Sequence, residues 1–200
     1  MVSVLDAERG TEKGSKRWIV QIFYLPKDRM SMEGIAYPGI QKLVKRGHVI
    51  LTPIPAEYSK LKKKVLMLQP WIWREMLAER VLIFGGNVII CGNSQANIKD
   101  YYKFDYIGAP WPVFKGFGGD GGLSLRNRTV MLAILEDINQ TKDLTGKKNP
   151  YTGLEYEDQF FVKGAQNLQK QNFPITLASS EVRTYIYKCN LFIFEIFRLI

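Results

Sequence analysis

The sequence predicts one α/β domain with a Rossmann-like architecture, in which helices flank a mostly parallel central sheet. Segments of strand and helix character alternate along the first half of the chain. The strand segments are continuous apolar runs, a composition typical of parallel strands that are covered on both faces. The length of 200 residues suits one sizeable domain rather than two.

The first half of the chain supplies three strands and the helices between them. Branched and aromatic residues mark the strands, which are expected at 17–25, 48–54 and 80–84. Apolar residues at helical spacing mark the helices, which are expected at 39–47, 56–68 and 70–80. The sequence therefore predicts a layered α/β core before residue 85.

The second half is less regular, although the same signals recur. Strands are expected at the end of 97–111 and at 122–126 and 173–179. Two helices with one apolar face each are expected at 129–138 and 157–168. No internal repeat or low-complexity segment interrupts this order.

Both chain ends differ from the predicted domain, which covers residues 17–187. Residues 1–16 are polar and are expected to form a flexible tail. Residues 188–200 are an atypical apolar end, too short and too charged to span a bilayer, so no transmembrane segment is expected. No secretory signal is visible, and the chain as written is expected to be soluble. A Golgi or secretory-lumen location would require an incomplete N-terminus.

Charge and residue counts argue against several classes of protein. The formal net charge of +9 suits nucleic acid, anionic membranes or phosphate-bearing small molecules as partners. No zinc-finger, basic-zipper or RNA-binding signature occurs, so no nucleic acid is expected, and a nucleic-acid-binding protein is the weaker alternative. Two cysteines do not make a disulfide framework. With His48 as the single histidine, Ser-His-Asp and Cys-His catalysis have little support.

Ligands of open α/β sheets bind beyond the carboxyl ends of strands, and three segments are candidates for that position. In the first, Gly86 and Asn87 follow the strand at 80–84. Glycine lets the backbone approach a ligand closely. A tight turn between strands is the alternative interpretation.

The second candidate is the run GFGGDGGLSLRNR, residues 116–128. Glycines surround one acid before the strand at 122–126, so little side-chain volume would obstruct a ligand. Arg126 can pair with Asp120 or with a phosphate. The cleft residues expected here are Gly119, Asp120, Gly121, Gly122 and Arg126.

The segment FDYIGAPW, residues 104–111, lies just before the glycine run and adds two candidates to the same cleft. Asp105 is the acid of this segment. Trp111 follows a proline and is a platform for a sugar or base ring, or alternatively a core residue.

The third candidate is the acidic pair Glu157 and Asp158, which begins the helix at 157–168. Acids at this position can satisfy free N–H groups and favour the helix dipole. The functional interpretation is a general base or a metal ligand at the same helix start.

These motifs, in this order, resemble the family called domain of unknown function 5672. The resemblance rests on WIVQIFY, ERVLIFGGNVIIC, FDYIGAPW, GGDGGLSLRNR and YEDQFF, and runs from about Trp18 to about Tyr185. It implies a glycosyltransferase-like protein with a Rossmann-like GT-A fold. The implied reaction moves a sugar from a nucleotide-sugar donor, such as a UDP-sugar, to a hydroxyl-bearing acceptor.

The resemblance also implies roles for single residues. The glycine-rich segment would line the donor and acceptor cleft, and the acids Glu157 and Asp158 would supply the catalytic base. A divalent metal such as Mn²⁺ or Mg²⁺ would neutralise the diphosphate leaving group. Its ligand after the strand at 80–84 would be Asn87, where the family has an acid.

Two departures from the family pattern affect this expectation. Asn87 offers a neutral carbonyl oxygen and lacks the charge that holds a hard cation. The late Gly-x-His-type segment of the family is replaced here by KCNLFIFEIFRLI. An impaired enzyme, or a non-catalytic nucleotide- or sugar-binding member, is therefore the alternative function.

Overall fold

The protein contains six strands and six α-helices in the part of the chain that the computed structural model describes. The described residues are 2–7, 17–33, 37–84, 97–109, 120–145, 157–179 and 182. The strands are β1 Val2–Ala7, β2 Arg17–Tyr24, β3 Val49–Pro53, β4 Arg80–Phe84, β5 Tyr106–Ala109 and β6 Asp120–Asn127. The helices are α1 Arg29–Glu33, α2 Pro38–Lys45, α3 Lys63–Leu66, α4 Pro70–Glu75, α5 Arg128–Thr145 and α6 Glu157–Lys170.

The strands form one sheet in the order β3-β2-β1-β4-β6-β5. The β2–β3 pair is parallel, whereas β4-β6-β5 is antiparallel and β1 joins the two groups by antiparallel pairing. The predicted mostly parallel, Rossmann-like GT-A sheet is therefore wrong. Among the described strands, the parallel βαβ pattern holds only for β2, α1, α2 and β3.

The prediction failed because an apolar strand does not report the direction of its neighbours. Alternate residues of β4 enter two different apolar clusters: Val81 and Ile83 enter one, and Leu82 enters the other. Both faces of this strand are therefore covered although its partners run antiparallel. Continuous apolar runs predict a strand with two covered faces, and the sequence does not distinguish parallel from antiparallel pairing in that case.

The larger cluster lies between one face of the sheet and helices α4, α5 and α6. Its fully buried members include Trp73, Met131, Ile134 and Phe161. The smaller cluster lies against the opposite face and includes Tyr101, Phe104, Ile107 and Leu125. Strand β6 lies between β4 and β5. Its apolar side chains Leu123 and Leu125 belong to the smaller cluster, whereas Arg126 lies against Trp73 and Phe161 of the larger cluster.

Several local predictions differ from the structure. The helix expected at 56–68 is a 3₁₀ turn at Ala56–Tyr58 followed by the short helix α3. In 173–179, expected to form a strand, Leu177 makes an isolated bridge to Tyr106. Residues 2–7, assigned to a tail, pair as β1 with β2 and β4. The helix expected at 129–138 continues to Thr145 as α5.

Across the described ranges, no helix combines the length and the apolar character that crossing a membrane requires.

Helices α5 and α6 pack so closely that their contact needs a glycine. Gly164 of α6 is buried, and a Cβ added to it would collide with the side chain of Ile134 on α5. Ile134 is itself fully buried in the larger cluster. The distance between the two helices is therefore set by a glycine facing a branched side chain.

We expect Gly164→Ala to lower the free energy of unfolding by about 1–3 kcal/mol, because overpacking outweighs the better helix propensity of alanine. Urea denaturation measures this cost. In an Ile134→Ala background the same substitution should be neutral or stabilising, because the added methyl group enters vacated space. An equal cost in both backgrounds would contradict the assignment of Ile134 as the obstacle.

Candidate functional site

The candidate site lies where the start of α6 meets β6. Glu157, the first residue of α6, accepts two hydrogen bonds from the guanidinium of Arg126 on β6. The Nη1–Oε2 distance is 2.7 Å and the Nη2–Oε1 distance is 2.9 Å. The pair is a bidentate ion pair, the strongest geometry available between these side chains.

Arg126 is completely buried, and its remaining surroundings fix its orientation. Its Nε donates to the hydroxyl of Ser124, two residues earlier on the strand, at 2.9 Å. The guanidinium carbon lies 5.0 Å, 5.5 Å and 5.8 Å from the ring centres of Tyr106, Phe161 and Trp73. These cation–π contacts and hydrogen bonds hold a charged group inside an aromatic cluster.

Burial disfavours the charged form of Arg126, but the charge and hydrogen bonds of Glu157, together with Tyr106 and the charge of Asp158, outweigh it. The pKa of Arg126 is consequently raised above its ordinary value. Arginine therefore stays charged in the core, and Glu157 is the counter-charge that makes this possible. A buried ion pair of this kind contributes more to a defined geometry than to net stability.

Asp158 attaches α6 to β6 at a second point. Its Oδ2 accepts a hydrogen bond of 3.1 Å from the backbone N–H of Gly121, and its Oδ1 accepts one of 2.8 Å from the N–H of Gln159. Burial raises the pKa of Asp158, and the charge of Glu157 adds to this, while the two N–H bonds and Arg126 oppose it. The net direction is upward, so Asp158 holds a proton more readily than an exposed aspartate.

Gly121 makes this double attachment sterically possible. A Cβ at this position would lie 2.5 Å from Oε1 of Glu157 and 2.9 Å from Nη2 of Arg126. Gly121 also lies in an irregularity of the β5–β6 ladder, where Gly108 pairs with Ser124 but Ala109 pairs with Asp120. Such irregularities occur next to functional sites, where they redirect side chains.

Asp105, expected in the same cleft, has a different environment. Its Oδ1 accepts from Arg80 and from Asn127, and its Oδ2 accepts from the N–H of Thr176. Its backbone N–H donates to the carbonyl of Thr176, and its carbonyl accepts from Asn127. Asp105 therefore joins β4, the end of β6 and the segment after α6, which is a structural role.

The structure brings together five of the predicted site residues. Others lie outside its described part. Those at the β6–α6 junction are Gly121, Gly122, Arg126, Glu157 and Asp158. Asp120 begins β6, and its side chain is outside the described part. Gly86, Asn87, Trp111 and Gly119 lie outside the described residues.

The predicted metal site depends on Asn87, which lies outside the described residues, so the structure does not locate that site. Within the described ranges, no group of three or more His, Cys, Asp or Glu side chains could hold a metal ion. Glu157 bonds to Arg126 with both oxygens, and the described side chains of the β6–α6 junction provide no ligand set.

The structure adds a partner of Arg126 that was not expected. Arg126 was expected to pair with Asp120 or a phosphate; among the described side chains it pairs with Glu157, and the side chain of Asp120 lies outside the described part. The helix-capping interpretation holds for one oxygen of Asp158, which accepts from Gln159. Sequence reasoning missed Ser124, Tyr106 and Trp73. Only Ser124 carried a local signal, because it shares a strand face with Arg126.

One protein family, described as Protein of unknown function (DUF5672), matches this chain over residues 52–182. The matched range includes the whole β6–α6 junction and begins after β2. No curated protein and no solved structure matches the sequence.

We expect Gly121→Ala to destabilise the protein by about 1–3 kcal/mol, because the added methyl group would push the carboxylate of Glu157 away from the guanidinium of Arg126. Gly39→Ala on α2 is the matched control, since a Cβ there has no atom within 4 Å. That control should be neutral or stabilising by up to about 1 kcal/mol. Urea denaturation of both variants measures the difference. Equal effects would show that Gly121 is not sterically required.

Proposed function

The chain belongs to the DUF5672 family, and from the environment of Asp158 we propose that it is a transferase with this carboxylate as its base. The proposed reaction moves a sugar from a nucleotide-sugar donor, such as a UDP-sugar, to a hydroxyl-bearing acceptor. The single observation that carries the proposal is a buried carboxylate with a raised pKa, held by the backbone N–H of Gly121 near the start of β6. The environment of Asp158 does not depend on the strand directions, which were predicted wrongly.

Asp158 has the properties that a general base needs. A base works best when its pKa approaches the working pH, and burial moves the pKa of Asp158 in that direction. Its orientation is fixed by the hydrogen bond from Gly121. Gly121 is packed against the ion pair, whereas Gly122, the next residue of β6, is partly exposed and has no side chain that would obstruct an acceptor.

Glu157 has a different role in this proposal, although sequence reasoning placed both acids in catalysis. Both of its oxygens are bonded to the guanidinium of the fully buried Arg126, so a Glu157 that left this pair to take a substrate proton would leave a buried cation without its counter-charge. Glu157 is therefore a structural partner of Arg126, and Asp158 is the only base of the pair.

The proposed step is a substitution at the anomeric carbon of the donor sugar. Asp158 takes the proton of the acceptor hydroxyl while the acceptor oxygen forms a bond to that carbon. The bond from the carbon to the diphosphate oxygen breaks, and its electron pair leaves with the nucleoside diphosphate. The products are the glycosylated acceptor, the nucleoside diphosphate and a protonated Asp158, which returns its proton to water.

The proposed substitution is written without a metal ion. A divalent cation would stabilise the charge of the diphosphate leaving group if one were bound. Its candidate ligand Asn87 lies outside the described residues, and the described residues do not supply a replacement ligand set.

A second candidate function is the binding of a nucleotide or a sugar without catalysis. It is favoured by the hydrogen bonds that already occupy both oxygens of Asp158. In that case the β6–α6 junction would be a structural connection alone. The two candidates differ in turnover rather than in ligand affinity.

We expect Asp158→Asn to lower the turnover of a UDP-sugar by at least about 100-fold, because the base is lost. A screen of UDP-sugars with Mn²⁺ and simple hydroxyl acceptors, followed by detection of released UDP, measures this. Glu136→Gln on α5 is the control, since it removes an exposed carboxylate. Calorimetry should show unchanged UDP affinity in both variants.

Wild-type rates in Asp158→Asn would eliminate Asp158 as the base. Binding of UDP without any turnover by the wild type would favour the non-catalytic candidate.

A further inference from the structure

We propose that the Arg126–Glu157 pair is a positioning device that orients the carboxylate of Asp158 for proton transfer. This inference rests on the proposed function, and it assigns a role to two residues that do not touch a substrate themselves. The juxtaposition that carries it is a two-point attachment of α6 to β6, through successive residues of the helix.

The first attachment fixes the N-terminus of α6. Glu157 begins the helix, and its carboxylate is bonded at both oxygens to the guanidinium of Arg126. Ser124 accepts from the Nε of Arg126, and the guanidinium carbon lies within 5.8 Å of three aromatic ring centres. An arginine with these contacts presents its planar donor pair to Glu157 in a defined orientation.

The second attachment uses the next residue of the helix. Asp158 accepts from the N–H of Gly121 at 3.1 Å, on the same strand that carries Arg126. With Glu157 held at one point of β6, α6 cannot rotate about its own axis without breaking the Asp158–Gly121 bond. The ion pair therefore determines where the Asp158 carboxylate lies.

The charges of the pair also act on Asp158 in opposite directions. Glu157 on its own helix raises the pKa of Asp158, and Arg126 on β6 lowers it. These two groups are the charged side chains that shift Asp158 among the described residues. Removal of either charge should therefore change the titration of Asp158 with a predictable sign.

Asp158 can be followed directly by carboxyl ¹³C NMR, with its resonance assigned by Asp158→Asn. Glu157→Gln removes a neighbouring negative charge and should move the titration midpoint of Asp158 to lower pH. Arg126→Lys keeps the positive charge but loses the two parallel N–H donors of the guanidinium. The carboxylate of Glu157 should therefore no longer be fixed by two hydrogen bonds. In both variants the exchange protection of the Gly121 amide should fall at least tenfold.

Arg80→Met is the matched control. It removes another partly buried ion pair, between Arg80 and Asp105 at 3.0 Å, whose members are not among the groups that shift the pKa of Asp158. It should lower stability while leaving the titration of Asp158 and the protection of Gly121 as in the wild type. Any effect of general destabilisation appears in this control.

An activity arm separates this inference from the proposed function. With a UDP-sugar that the wild type turns over, Glu157→Gln should lower kcat at least tenfold with KM within twofold, and the acidic limb of the pH profile should move to lower pH. If wild-type turnover is found but both variants keep the wild-type Asp158 titration and Gly121 protection, the positioning role is overturned. If the NMR changes occur but no donor is turned over, the proposed function fails while the geometric control of Asp158 stands.

Discussion

The ion pair between Arg126 and Glu157 is the interaction on which the second half of the structure depends. Strand β6 lies between β4 and β5, and Arg126 extends from it into the cluster beneath α4 and α6. A charge in that position is tolerated only because Glu157 meets it with both carboxylate oxygens. The helix that carries Glu157 is thereby joined to the sheet at its first residue.

One further feature follows from this ion pair, and two others fix the same part of the fold independently. Position 121 must be glycine because the ion pair occupies the space that a side chain would need. Gly164 lets α6 lie directly against α5, so the helix is fixed along its length as well as at its start. Asp105 makes a separate connection among β4, β6 and the segment after α6. The result is a carboxylate, Asp158, whose position is determined by the core of the protein.

Composition and periodicity predicted the strands and helices of this chain better than their arrangement. Strands β2, β3, β4 and β6 and helices α5 and α6 begin close to the expected residues, because apolar spacing reports burial. Sheet order was not predictable, since β4 is apolar on both faces whichever way its neighbours run. The acids of the site were identified by their place before an apolar helix, but the partner of Arg126 was not. Glu157 and Arg126 are 31 residues apart, and no local pattern encodes such a pairing.

A double-mutant cycle of Arg126→Met and Glu157→Met in urea denaturation tests the importance of this ion pair most directly. Each single variant leaves one charge buried without its partner, so each should cost about 3–5 kcal/mol. The double variant replaces the pair by apolar side chains and should cost much less than the sum, with a coupling energy of about 2 kcal/mol or more. Additive costs, with a coupling energy below about 0.5 kcal/mol, would contradict the claim that this interaction holds α6 to the sheet.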